Sequence, residues 1–292
     1  MSGLGILFWH YTDAPLCASR VQALRHHNPG VPIWGLYGGD TDRAATFERM
    51  LSPLLDDFYV YDEERSPRWK WEYGDQIVLK WFAERGRLLS FDSVVLAQWD
   101  LAAFASMASL FRELPAGHVC LPGLRPIREV EAWWDRADAG HPENRSEYLA
   151  FLDMLRSAYG YAAEPMCCEF TIGVLPKAFL AAWSDACLPQ RGWLEYRIPM
   201  YAQLLGFPLW CGPSLRRPFV QELRKLAPLR RWWVRTLTAG KTPVANTTIA
   251  AHLFWPGGDR LFHPVRDVLP VTRAGVPRWF IGRLQQRYGG VP

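Results

Sequence analysis

Gln98-Trp99-Asp100 follows directly on the apolar run 93–97, whose Val-Val-Leu-Ala core predicts a strand buried on both faces of a parallel sheet. A carboxylate leaving such a strand faces the crevice in which open α/β sheets bind their ligands. At that place Asp100 can hold a divalent ion, which would in turn neutralise a diphosphate. The same side chain would equally serve as the N-cap of a helix over 101–110. Other residues with chemistry to offer are His10 at the end of the first apolar run, Glu169 in Cys168-Glu169-Phe170, Glu195 in Trp193-Leu194-Glu195-Tyr196-Arg197, and His263 before Pro264. The common signatures are missing. There is no GxGxxG, HExxH or GxSxG, and Ala239-Gly240-Lys241-Thr242 lacks the earlier glycine of a phosphate loop, Arg235 standing in its place.

Placing these groups requires a scaffold, and the first half of the chain spells one out. Strands are predicted over 5–11, 32–37, 57–61 and 93–97, alternating with helices over 16–27, 42–51 and 75–85. Asp13 is placed to cap the first helix, Pro15 fits its first turn, and Asn28-Pro29-Gly30 stops it. This βα rhythm implies a mostly parallel sheet flanked by helices. It directs attention to the residues just after each strand, at 11–13, 38–42, 62–64 and 98–100. The second half is less regular. It predicts strands over 118–121, 168–174 and 209–211, a polar loop over 133–146, and helices over 147–159, 176–187 and 194–205.

The chain has 292 residues, of which 49% are hydrophobic and 21% charged, so a large core is expected and global disorder is excluded. No break divides it, which predicts one domain over 1–292. The net charge of +4 is too mild to require a nucleic-acid partner, and none is expected. Six cysteines at 17, 120, 167, 168, 187 and 211 form no CxxC pair. With no run of signal length at the first residues and no apolar stretch of about 20 residues, a reduced, cytoplasmic setting is expected. The 15 tryptophans suggest surfaces for flat or ring-shaped ligands beyond what the core consumes.

The order of elements, with an apolar strand ending in an acidic triplet, resembles the GT-A glycosyltransferases over roughly residues 5–212. In that family a D-x-D motif at this point binds a metal and the ribose of a nucleotide sugar. Here Asp100 takes the place of the last Asp and Gln98 of the first. Gly39-Asp40-Thr41-Asp42 is similar to the G-S-T-D that follows the second strand in many members, with Asp40 offered to the base from a shifted position. The helix over 75–85, with Lys80, matches the helix that leads into the acidic strand. The resemblance implies a GT-A-like mixed, mostly parallel sheet, with a Rossmann-like nucleotide-sugar-binding half over 1–110 and an acceptor half over 111–212. It implies a nucleotide-sugar site made by His10, Tyr11, Thr12, Asp40, Lys80, Gln98, Trp99 and Asp100. It implies Mn²⁺ or Mg²⁺ held by Asp100 and His263, since several members close the metal site with a C-terminal histidine. Asp100 would stabilise the leaving diphosphate, and Glu195, as the acid of an E-D helix whose second acid is Tyr196, would be the base toward the acceptor. Glu169 is the alternative base. The bland reading of Glu195 is an acidic residue favoured by a helix N-terminus.

The remaining segment, 213–292, is basic and aromatic. Between 215 and 241 lie eight Lys or Arg against Glu222, interleaved with Trp232 and Trp233. Peripheral contact with an anionic membrane, at the inner face, is one reading, and it would suit a lipid-linked acceptor. A solvated face, or a positive wall near the diphosphate, is the other. For the whole chain the expectation is a glycosyltransferase moving a sugar from a nucleotide-sugar donor to a glycan or lipid-linked acceptor. The alternatives are a catalytically degenerate glycan-binding or scaffold protein and a nucleotidyltransferase.

Overall fold

The computed structural model describes residues 3–212, 244, 246–255, 258–270 and 275. The first eight elements are β1 (Leu4–His10), α1 (Ala14–His27), β2 (Ile33–Tyr37), α2 (Ala44–Leu51), β3 (Asp57–Val60), α3 (Pro67–Glu72), α4 (Gly74–Glu84) and β4 (Ser93–Gln98). Each follows from local chemistry. The run LGILFWH has no polar residue until its end and forms β1, buried at every position. At α1, Asp13 adopts a left-handed backbone and its carboxylate accepts a hydrogen bond from the Leu16 N–H at 3.0 Å. Asn28 closes the helix, its side chain donating to the Leu24 carbonyl at 2.8 Å.

The second half continues with β5 (Ala102–Ala103), α5 (Met107–Leu110), β6 (Val119–Cys120), β7 (Arg125–Pro126), α6 (Pro142–Tyr159) and β8 (Met166–Cys167). Then come β9 (Ile172–Pro176), α7 (Lys177–Asp185), α8 (Leu194–Leu204) and β10 (Leu209–Trp210), and finally α9 (Asn246–Phe254) and β11 (Leu261–Phe262). Seven strands form one mixed sheet in the order β10-β6-β9-β4-β1-β2-β3. The strands β3, β2, β1 and β4 are parallel, with Phe8 opposite Gly35 on one side and Ala97 on the other. β9 runs antiparallel to both β4 and β6.

Alternation along β1 divides the core between the two faces. Leu7 and Trp9 join α4, α6, α7 and α8, through Trp81, Phe151, Phe179 and Tyr201 among others. Ile6 and Phe8 join α1 and α2, through Val21, Leu24 and Phe47. A smaller cluster beyond the sheet packs α9 against β5 and β11, with Phe104, Ile249, Leu253 and Phe262 at its centre. α4 and α8 are also fastened by a fully buried ion pair, in which the Arg197 guanidinium donates through Nε and Nη2 to both Asp75 oxygens.

The architecture is the α/β one expected, with four local departures. Residues 101–110 do not form one helix. Ala102 and Ala103 pair antiparallel with Phe262 and Leu261 instead, and the short α5 is capped by Ser106 rather than Asp100. The run 168–174 is interrupted: β8 ends at Cys167 and β9 starts at Ile172. α6 begins at Pro142, inside the segment expected to be a loop, and α3 is an additional element. The segment 215–241 lies outside the described residues. Among the described residues no helix is long and apolar enough to cross a membrane.

Candidate functional site

The carboxyl ends of β1, β2, β3 and β4 share one edge of the sheet. At the end of β4, Asp100 is 7% exposed and His263 6% exposed, and Oδ1 of Asp100 stands 3.1 Å from Nε2 of His263. Three interactions bring them together. β5 and β11 pair immediately beside them, the Val265 N–H donates to the Asp100 carbonyl at 2.8 Å, and Arg20 of α1 holds the following loop. Its Nη2 donates to the carbonyls of Val265 at 3.1 Å and Asp267 at 2.7 Å. Burial pulls the Arg20 guanidinium down to about 10, with Asp100 the first of the charges that hold it up.

Oδ1 of Asp100 is buried and accepts no hydrogen bond. A carboxylate oxygen and an imidazole nitrogen at this separation are also spaced as two ligands of one cation would be. The donor set, one oxygen and one nitrogen, suits Mn²⁺. Among the described residues no group of three His, Cys, Asp or Glu side chains forms a metal cage. Remaining ligands would have to come from substrate oxygens and water, as is usual for ions bound with phosphates.

Around this pair the expected nucleotide residues divide. Tyr11 is 41% exposed at the end of β1 and meets Trp99 edge to face at 5.6 Å. Thr12 follows it, its carbonyl accepting from the Cys17 thiol. Trp99 itself is packed in the core with Ala97 and Val95, so it supports Tyr11 rather than offering a face of its own. Gln98 is turned toward the second half, its Nε2 donating to the Phe170 carbonyl at 2.8 Å. Asp40 follows β2, which lies two strands over from β4. It lines a cavity of about 380 Å³ with Asp42, Glu63, Glu64, Arg65 and Lys70. The chain passes closely here, because a Cβ on Gly39 would come within 2.7 Å of the Tyr11 carbonyl.

Two expectations for this edge are corrected. His10 does not face the crevice: it is 0% exposed, stacked on Phe8 and enclosed by Tyr37, Phe47 and Phe58. Burial pulls its imidazole down to about 4, so it is neutral and structural. Lys80 is engaged elsewhere. Its ammonium is paired with Asp62 at 2.7 Å and Glu63 at 3.2 Å, over the Tyr61 ring. The lysine that does line the cavity is Lys70 of α3, which donates to the Gly39 carbonyl at 2.7 Å. Burial lowers its pKa, with Asp40 opposing.

In the half expected to hold the acceptor, Glu195 sits in the first turn of α8 with a side chain 17% exposed. Burial pushes its carboxyl above the usual range, and Arg136 pulls it back. The Arg136 guanidinium lies 3.7 Å from Oε1 of Glu195 and stacks over Trp193 at 3.8 Å and Trp71 at 4.8 Å. Oε2 of Glu195 and Nε of Arg136 are buried and without hydrogen bonds. The stretch 168–170 joins this cluster to β4. The Cys168 N–H donates to the Glu195 carbonyl at 2.9 Å, and the Phe170 carbonyl receives Gln98. Glu169, the alternative acid, is 3% exposed between these two links and packs beside Gly123. Arg20, Lys70, Trp71 and Arg136 were not singled out from sequence. Trp71 and Lys70 lie in α3, for which Ser66-Pro67 was the available signal.

No family model and no curated protein sequence matches the chain. Among solved structures, a galactosyltransferase, LgtC, in complex with donor and acceptor sugar analogues is similar with a TM-score of 0.40 and 10% identity, over 78% of this chain and 81% of that one. A cytidylyltransferase from Leptospira borgpetersenii serovar Hardjo-bovis, strain JB197, is similar with a TM-score of 0.38 and 11% identity, over 73% and 76% of the two chains. A mycobacterial protein is similar with a TM-score of 0.42 and 14% identity, over 72% and 64%.

Proposed function

We propose that this chain is a glycosyltransferase that takes its sugar from a nucleoside diphosphate sugar. The observation that carries the reading is the approach of Asp100 and His263, about 160 residues apart in sequence, to 3.1 Å at the exit of β4. Asp100 and His263 would hold Mn²⁺ or Mg²⁺, which supplies charge neutralisation of the diphosphate as it departs. Tyr11 and Thr12 border the phosphates, and the cavity beside Asp40 and Lys70 takes the nucleoside end. The acceptor is a glycan or a lipid-linked glycan.

In an inverting reaction the acceptor hydroxyl oxygen bonds to the anomeric carbon. The bond from that carbon to the diphosphate oxygen breaks, its electron pair leaving with the nucleoside diphosphate. The hydroxyl proton passes to Glu195. A carboxylate whose proton affinity is raised by burial is a stronger base once ionised. In a retaining reaction Glu195 takes no proton and serves only to bind the acceptor.

The test is calorimetric titration with UDP, GDP, CDP and ADP, with and without Mn²⁺, on the wild type and on Asp100→Asn. The expected result is cation-dependent binding of at least one nucleotide, weakened at least about 10-fold in the variant, since even the loss of an outer-shell partner of a metal ligand costs about 10- to 100-fold. Binding of none of the four, or equal binding by the variant, would remove the reading. Release of pyrophosphate from a nucleoside triphosphate would replace it with nucleotidyl transfer.

A further inference from the structure

The helix α6 stands between two surroundings. On one face Tyr148, Phe151, Leu152 and Leu155 are buried in the core. On the other, Pro142, Arg145, Leu149, Ala150 and Asp153 recur at helical spacing and, with Ala139 beside them, line a hollow of about 540 Å³. Leu149 is 47% exposed there, on a helix that already has its core-facing stripe. The two charges of this outer face have bonding capacity to spare. Arg145 donates through Nη1 to the Ala137 carbonyl at 2.8 Å, which holds the guanidinium beside the hollow and leaves its other N–H groups for a partner. The Asp153 carboxylate has no partner among the described residues, although its backbone carbonyl accepts from the Ser157 hydroxyl at 2.8 Å.

The order of these residues is self-complementary. Arg145 and Asp153 lie about 12 Å apart along the helix at 1.5 Å per residue, and Leu149 stands midway between them. When a second α6 crosses the first antiparallel about a two-fold axis at Leu149, Arg145 of each copy faces Asp153 of the other, because the two are equidistant from the axis. The two leucines meet at the axis, over the apolar lining of the hollows. A parallel pairing would set like charges against each other, and a purely acidic or purely basic partner would answer only one of the two charges. We propose that this face of α6 is a homodimer interface, in which two copies of the helix pack antiparallel with Leu149 at the centre and two Arg145–Asp153 pairs at the ends.

Such a contact uses the same patch on both copies, so it closes at two and does not polymerise. A seam of one helix per copy is at the small end of specific interfaces, under about 800 Å² per partner, so the dimer is weak and its population follows concentration. The face shares no residue with the strand-end site around Asp100, so the interface stands apart from the transferase reading.

The experiment is sedimentation equilibrium of the full chain from about 1 µM to about 1 mM, at low and high salt. The variants are Arg145→Asp, Asp153→Arg, the two reversals combined, and Leu149→Asp. The wild type should pass from the monomer mass toward twice that mass as concentration rises. Each single reversal brings like charges face to face and should weaken the dimer about tenfold or more, and the combined reversal should restore it. Leu149→Asp should weaken it at least as much as either reversal. Circular dichroism of the dilute proteins reports that the variants fold, and Asp153→Arg, at an exposed position, keeps the test intact where Arg145→Asp does not fold. A wild type that stays monomeric throughout, a dimer indifferent to Asp153→Arg and Leu149→Asp, or a folded combined reversal no better than the single ones would overturn the interface. So would a monomer that sediments with phosphatidylcholine–phosphatidylserine vesicles and loses them in Leu149→Asp, which would assign the face to a membrane.

Discussion

The rim above β2 and β3 and the seam between α4 and α8 hold their charges in opposite ways. On the rim, Lys80 reaches Asp62 and Glu63 through side chains that are 24%, 75% and 42% exposed. Such pairs gain little in water and exchange partners readily. In the seam, Arg197 and Asp75 are fully enclosed, and the guanidinium also donates to the carbonyls of Arg191, Gly192 and Glu72. A buried pair with all its donors engaged does not add much over an apolar contact, but it admits one geometry only. The difference is that the rim can rearrange, whereas the seam fixes where α8, and with it Glu195, stands.

Breaking the seam should therefore have the largest effect. Arg197→Met leaves Asp75 buried without its partner and should cost about 3–5 kcal/mol of stability, read from the denaturant midpoint. A loss under about 1 kcal/mol would show that the seam is as adaptable as the rim. If the reaction inverts, Glu195→Gln should lower the rate of transfer about 10²- to 10⁴-fold in steady-state assays while nucleotide titrations stay unchanged.

Beneath the rim, His10 contributes a dependence on pH whose sign is set by its lowered pKa of about 4. Between the ordinary histidine value near 6.5 and that value, the unfolded chain binds a proton that the folded chain refuses. Stability is present in full above about 6.5 and falls with acidification at up to about 1.4 kcal/mol per pH unit until about pH 4. His10→Phe should flatten that part of the stability profile, and an unchanged slope would show that His10 is not the group responsible.

Smaller effects should come from the rim itself. Ser66 caps α3, accepting from the Trp69 N–H at 3.1 Å, so Ser66→Ala should cost about 1 kcal/mol in denaturant unfolding. Lys80→Met should cost less than about 1 kcal/mol, and a larger loss would contradict the contrast between rim and seam.

The parallel half was readable because each strand is a short unbroken apolar run and each helix has its own stop and start, as at Asp13 and Asn28. Alternation in β1 even carried the information that His10 shares a face with Ile6 and Phe8, which the emphasis on strand ends overrode. The stretch after Asp100 misled for a physical reason. Leu-Ala-Ala-Phe-Ala favours a helix locally, but pairing with β11 satisfies the same backbone groups and buries Phe104 against Phe262. Asp100 and His263 were each identified from sequence, yet their meeting depends on that pairing, for which the sequence offers no local signal. The cluster around Arg136 was invisible for a similar reason. Trp71, Arg136 and Glu195 come from three separate stretches, and only the packing of α3 against the start of α8 makes them neighbours.

The two-stranded ribbon of β5 and β11 also has a consequence for how the molecule is made. Residues 102–103 leave the ribosome long before residues 261–262 exist to meet them. The sheet can assemble in the meantime, but the Asp100 carboxylate waits without its imidazole until residue 263 has been made. Closing so long a loop is slow, although each doubling of its length adds only about 0.6 kcal/mol to the cost. The pair at the exit of β4 therefore forms late, after every strand of the large sheet has been synthesised.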